Sequence, residues 1–104
     1  MRIVIDELNG RYHWRVQQEI PGGTDVCAHG CAPYPDQPAC YEAVHRMAEP
    51  VIAARVAQQD DGHWGWAVCD SDGRPLAESG AVFHDAATCG RALIEMRKFA
   101  ATVA

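Results

Sequence analysis

The sequence predicts an α+β fold in which a unit of three strands and one helix occurs twice. The chain repeats itself: LNGRYHWRV resembles DDGHWGWAV, and YPDQPACYEAVHRM resembles FHDAATCGRALIEM. In each copy, tight-turn dipeptides separate short alternating segments, which indicates β-hairpins, and an apolar stripe with helical spacing follows them. We therefore predict a single domain over residues 1–104, with repeat 1 at 1–49 and repeat 2 at 50–104.

The two copies align at two constant offsets along the sequence. The strand part aligns at an offset of 52, and its corresponding pairs are Val4 and Val56, Gly10 and Gly62, Tyr12 and Trp64, Trp14 and Trp66, and Val16 and Val68. The helical part aligns at an offset of 49, and its pairs are Tyr34 and Phe83, Asp36 and Asp85, Cys40 and Cys89, Ala43 and Ala92, and Met47 and Met96. The first copy thus carries three extra residues, which we place in a turn because turns accept insertions at little cost.

Turn dipeptides mark the strands of each copy. Asn9-Gly10 and Asp61-Gly62 favour tight hairpins, because their residues accept positive φ angles. The second turns are Pro21-Gly22-Gly23 and Asp72-Gly73, followed by short third strands near residues 24–29 and 74–79.

The hairpin register predicts which face of the sheet is buried. A two-residue loop in the first copy pairs Ile5 with Trp14 and Ile3 with Val16, which gives an apolar face suited to cover helices. We expect Trp14 and Trp66 to occupy equivalent buried positions on this face. The same count in the second copy places Arg55 on the buried face, so either that loop has three residues or Arg55 lies at an edge.

Each copy ends in a helix that begins at an aspartate. Asp36 and Asp85 are predicted N-caps, whose carboxylates accept the free amide hydrogens of the first turn. Apolar residues then recur at helical spacing, and these are Cys40, Ala43, Val44 and Met47 in the first helix and Cys89, Ala92, Leu93, Met96, Phe99 and Val103 in the second. Pro50 is predicted to end the first helix.

The second copy, from residue 53 to about residue 100, resembles the small bacterial YegP-like repeat. The shared features are a DG turn, Trp-x-hydrophobic, a second DG turn, an Ala-Glu-Ser segment, an aromatic residue and a helix with Ala-x-Cys near its start. The first copy is a looser match, with Cys27-Ala28-His29-Gly30 in place of Ala77-Glu78-Ser79-Gly80. The resemblance implies two tandem β3α units in an antiparallel sheet, with both helices packed on one face as a pseudo-two-fold internal dimer. It implies no activity and no catalytic residues.

Composition and charge exclude several classes of protein. A formal net charge of −5 has the wrong sign for a domain that neutralises nucleic-acid phosphates. No apolar run approaches the roughly 18 residues of a membrane span. The five cysteines are an odd number and do not form a disulfide framework, so we expect reduced thiols and a cytoplasmic protein. Internal duplication predicts a monomer.

The chemical candidates are Cys27, His29, Cys31 and Cys40, whose soft and borderline donors suit zinc or copper. Alternate residues of an extended strand lie about 6.6 Å apart, so a regular strand cannot bring the first three to one ion. Cys40 also has a twin in Cys89, which favours a core role. We therefore expect no metal site and no cofactor.

The five histidines are expected on the surface, since no nucleophile or paired-carboxylate pattern accompanies them. The sequence thus predicts a non-catalytic protein that binds another protein or a small ligand. The alternative is a thiol- or metal-handling protein that uses the Cys27–Cys31 segment, and a hydrolase or transferase has only the histidines in its favour.

Overall fold

The computed structural model describes residues 1–49 and 52–103. Six strands and two helices follow one another in the order β1 (Arg2–Leu8), β2 (Arg11–Ile20), β3 (Gly23–Gly30), α1 (Gln37–Arg46), β4 (Ala53–Gln58), β5 (Trp64–Cys69), β6 (Pro75–Ser79) and α2 (Ala86–Ala101). The α+β class predicted from the sequence is confirmed. Within the described residues, no helix is long and apolar enough to cross a membrane.

All six strands belong to one open antiparallel sheet with the order β1-β2-β3-β6-β5-β4. Strands β3 and β6 join the two halves of the chain through the pairs Ala28 with Ser79, His29 with Glu78 and Gly30 with Ala77. Strands β1 and β4 form the two outer edges of the sheet. A further single bridge in each half ties the segment before the helix to the sheet, Tyr34 to Tyr12 and Phe83 to Trp64.

The two first hairpins differ in loop length. Leu8 pairs with Arg11, and Asn9 and Gly10 both have positive φ angles of 55° and 77°, so the first loop has the predicted two residues. In the second hairpin the Gln59 N–H donates to the His63 carbonyl at 2.7 Å, and three residues, 60–62, form the loop. The longer loop turns Arg55 away from the buried face.

This loop corrects part of the predicted alignment. Trp14 pairs with Ile5, and Trp66 pairs with Val56. Val56 therefore takes the place of Ile5, and the alignment of Val56 with Val4 is wrong by one residue.

Both predicted helix caps are present. The Asp36 carboxylate accepts from the Ala39 N–H at 2.8 Å, and the Asp85 carboxylate accepts from the Thr88 N–H at 2.7 Å. Helix α1 ends at Arg46, and Pro50, predicted to end it, lies outside the described residues.

One hydrophobic cluster between sheet and helices contains residues from both halves of the chain. Trp14 and Trp66 are each 2% exposed, which confirms their predicted burial. The predicted helical stripes supply Cys40, Ala43, Val44, Met47, Cys89, Leu93 and Met96 to the same cluster.

Candidate functional site

One face of the sheet lies opposite the core, and neither α1 nor α2 covers it. Arg15 stands between the buried Trp14 and Val16, and Ala67 stands between the buried Trp66 and Val68. Because successive residues of a strand point to opposite faces, Arg15 and Ala67 face away from the helices. We call this surface the helix-free face.

The strand register arranges a continuous row of side chains across the helix-free face. Each residue of the row is the direct partner of the next on the neighbouring strand, in the order Val4, Arg15, His29, Glu78, Ala67 and Arg55. The row therefore crosses all six strands and carries four polar or charged side chains.

A histidine–carboxylate pair occupies the centre of this row. His29 Nε2 lies 3.3 Å from Glu78 Oε1, and the two side chains are 41% and 53% exposed. To one side, Arg15 contacts the Asp6 carboxylate and donates from Nε to Gln17 Oε1 at 3.1 Å. Exposed ion pairs of this kind contribute little to the stability of the fold. Their side chains can therefore rearrange to contact a partner at little cost in folding free energy.

Small residues beside the row leave a depression of about 210 Å³ in the helix-free face. Its lining includes Arg55, Ala57, Gly65, Ala67, Glu78 and Ser79. Within the described residues, Arg55 has no carboxylate within ion-pair distance. Its guanidinium is thus free to meet an acidic group at the rim of the depression.

The structure spreads the predicted metal candidates over different parts of the molecule. Cys27 is the extra residue of a bulge in β3, because Val16 pairs with Ala28 while Gln17 pairs with Val26. Cys27 lines a depression of about 290 Å³ together with Ala92 and Glu95 of α2, on the helix side of the sheet.

The remaining candidates face elsewhere. His29 belongs to the row on the helix-free face, Cys31 is exposed beyond the end of β3, and Cys40 is fully buried in the core. Over residues 1–49 and 52–103, no group of three His, Cys, Asp or Glu side chains is arranged to hold a metal ion.

Four of the five thiols have a raised pKa, which is the opposite of activation. Burial raises the pKa of Cys27, Cys40 and Cys89 above the ordinary value for a thiol. Cys31 is exposed, but atoms around its thiol partly displace water and so raise its pKa, and the neighbouring Glu78 and Cys69 act in the same direction. A reactive cysteine needs a lowered pKa, because the thiolate is the nucleophile and the metal ligand.

The strand pairings correct the predicted alignment of the third strands. Ala28 is the partner of Val16, and Ala77 is the partner of Val68. His29 therefore corresponds to Glu78 and not to Ser79. Similarly, Cys27 corresponds to Leu76 and not to Ala77.

The sequence did not indicate the row on the helix-free face. Alternation around Trp14 and Trp66 placed Arg15 and Ala67 on the outer side, but the pairing of His29 with Glu78 depends on the contact between β3 and β6. No family model, no curated protein and no solved structure matches this chain.

Proposed function

We propose that this chain is a non-catalytic binding module that docks a partner protein on the helix-free face of its sheet. The observation that carries the proposal is the row from Val4 to Arg55, in which arginine, histidine and glutamate side chains border a shallow depression. Exposed charge beside small residues suits a partner surface, because the small residues let its atoms approach the strands closely.

The size of the depression favours a protein over a small molecule. Small-molecule pockets enclose about 300–1,000 Å³. The depression at Arg55 and Glu78 measures about 210 Å³ and lies on an open sheet. A projecting side chain of a partner fits such a space, and the flanking charges then set the orientation of the partner.

The charges on this face define the chemistry of the partner. Arg55 borders the depression without an ion-pair partner in the part of the chain that the structure describes. Glu78 lines the same depression two strands away and is paired with His29. The best partner presents an acidic side chain to Arg55 and a hydrogen-bond donor to Glu78.

Site-specific photo-crosslinking tests this proposal. A photoreactive phenylalanine analogue replaces exposed Ala57 on the helix-free face, and in a matched variant it replaces Ile94, which is 55% exposed on α2. We expect a crosslinked partner in the source cell from position 57 and none from position 94. The Arg55→Glu change should reduce the crosslink at position 57 at least about tenfold, because an acidic group of the partner then faces a like charge.

Three results contradict the proposal. They are equal crosslinking from both positions, crosslinking from position 94 alone, and a crosslink at position 57 that Arg55→Glu leaves unchanged.

We further propose that the chain arose by tandem duplication of a YegP-like β3α unit, with a pseudo-two-fold axis between β3 and β6. Two reciprocal hydrogen bonds support this, because Cys31 N–H donates to the Leu76 carbonyl at 3.3 Å and Gly80 N–H donates to the Cys27 carbonyl at 3.2 Å. Cys27 and Leu76 are also the extra residues of corresponding bulges. A duplicated unit of this kind provides its own partner, so we propose a monomer.

We place the protein in the reducing cytoplasm of a bacterium. All five cysteines are free thiols, and Cys31 is exposed, which suits a compartment that keeps thiols reduced.

A further inference from the structure

Two histidines meet at the rim of the second half of the chain. His63 directly precedes β5, and His84 directly precedes the N-cap of α2. Between them, the Trp64 N–H donates to the Phe83 carbonyl at 2.8 Å, and the Phe83 N–H donates to the Trp64 carbonyl at 2.9 Å. This double hydrogen bond holds His63 beside His84, with ring centroids 5.7 Å apart and ring planes at 50°.

A carboxylate lies beside one of the two rings. Asp61 Oδ2 lies 3.2 Å from Nδ1 of His63, and Asp61 Oδ1 accepts from the His63 backbone N–H at 2.9 Å. Nδ1 of His63 is buried and makes no well-aligned hydrogen bond within the described residues, so Nε2 is the ring nitrogen left for a ligand. A small rotation of the ring brings Nδ1–H onto this carboxylate, and a carboxylate that accepts from the far nitrogen orients histidine ligands in protein metal sites.

The separation of the rings fits one shared ion. Zinc binds imidazole nitrogen at about 2.0–2.1 Å in tetrahedral geometry, so two ring centroids on one ion lie about 5.2 Å apart. The ring centroids of His63 and His84 lie 5.7 Å apart. Rotation of the side chains can close the remaining difference of about half an ångström.

We propose that His63 and His84 form a two-imidazole binding site for a borderline divalent ion such as Zn²⁺, Ni²⁺ or Cu²⁺. Asp61 positions His63, and the remaining coordination positions of the ion are open to water or to a donor group of a partner. The carboxylates of Asp61 and Asp85 add negative charge beside the rings, which favours a cation.

The first half of the chain has the same backbone bridge without the ligands. The Tyr12–Tyr34 bridge is flanked by Arg11 and Pro35 at the positions that correspond to His63 and His84. The site is therefore a property of the second half alone. It shares no residue with the row on the helix-free face or with the Cys27–Cys31 segment.

Calorimetric titration of the tag-free chain with Zn²⁺, and separately with Ni²⁺, tests the proposal. We expect one ion per chain with a dissociation constant in the micromolar range. His63→Gln and His84→Gln should each weaken binding at least about tenfold, and Asp61→Asn about tenfold through the lost orientation of His63. The matched control is His45→Gln, which removes an exposed histidine of α1 and should leave the affinity unchanged.

Two further measurements make the result decisive. Imidazole nitrogen NMR signals of His63 and His84 should shift on addition of Zn²⁺, with the other three histidines unmoved. The Cys27→Ser, Cys31→Ser double variant should bind as tightly as the parent chain. The proposal is overturned if no ion binds, if His45→Gln weakens binding as much as His84→Gln, or if the serine variant abolishes binding.

Discussion

At the scale of single residues, the two tryptophans of the core stabilise the fold through buried apolar surface. Trp14 and Trp66 are each 2% exposed. A Cβ atom at Gly30 would lie 2.5 Å from Nε1 of Trp14, so the absence of a side chain there lets the indole lie against the β3 backbone. Nε1 of Trp14 is buried and makes no hydrogen bond with the described part of the chain, so the apolar surface of the ring carries its stabilisation.

Removal of either indole should destabilise the fold strongly. We expect Trp14→Ala and Trp66→Ala each to lower the free energy of unfolding by about 3–5 kcal/mol, the usual cost of emptying an aromatic site in a core. The half-buried Trp64 provides the comparison, and Trp64→Ala should cost less. Urea titration followed by circular dichroism measures all three, and unchanged midpoints for both core variants would show that the buried face is wrongly assigned.

The sequence predicted the core residues but not the histidine pair. Alternation and helical spacing identified Trp14 and Trp66 as buried, because each pattern repeats within a few residues of the chain. The meeting of His63 with His84 depends on the bridge between Trp64 and Phe83, which lie far apart in the sequence. A contact of that kind leaves no local periodicity.

At the scale of elements, loop length and bulges limited what the sequence could predict. Asn9-Gly10 and Asp61-Gly62 are similar dipeptides, yet the first forms a two-residue loop and the second ends a three-residue loop. Both loops place a glycine at positive φ, so composition does not separate them. The bulge at Cys27 likewise shifts β3 by one residue without any change in alternation nearby. The existence of each strand and the register of the first hairpin were therefore predictable, whereas the registers of the second hairpin and of β3 were not.

The N-cap of α2 makes the stability of this helix depend on pH. The hydrogen bond from the Thr88 backbone N–H, followed by that from its side chain, holds the pKa of Asp85 below its ordinary value of 3.8. A lowered folded pKa means that the contribution of the cap is present above the unfolded pKa and is lost as pH falls through the folded pKa.

Asp85→Ala should thus lower the thermal unfolding midpoint at pH 7, and the difference from the parent chain should shrink as the pH falls below about 4. Asp60→Ala is the control, since the Asp60 side chain makes no hydrogen bond within the described residues, and it should leave the midpoint unchanged at pH 7. Differential scanning calorimetry from pH 7 to pH 2.5 measures both. A deficit for Asp85→Ala that is constant with pH would contradict the assigned role of the carboxylate.

At the scale of the whole molecule, the pairing of β3 with β6 decides which sheet edges stay open. Strands β3 and β6 would each be an edge of a three-stranded sheet, and their pairing places both at the centre of one six-stranded sheet. Strands β1 and β4 are left as the outermost strands. Leu8 and Arg11 close the first hairpin as a hydrogen-bonded pair, so the backbone groups of Asp6 and Val4 also face β2. The backbone N–H and carbonyl of Ile5 consequently point outward from the β1 edge.

Because each half covers the inner edge of the other, we expect a monomer of 11.4 kDa at micromolar concentration. Light scattering on the eluting chromatographic peak measures the mass directly. A stable dimer would contradict this expectation, and Ile5→Pro would then identify its origin. Proline at this position removes an outward N–H of an edge strand, so it abolishes a dimer built by pairing β1 edges. It also removes a half-buried side chain that packs against the core, so Ile5→Val, which keeps the N–H and most of the packing, is the control. A dimer in which β3 of one chain pairs with β6 of another would survive the same change, because its hydrogen bonds lie at the centre of the sheet.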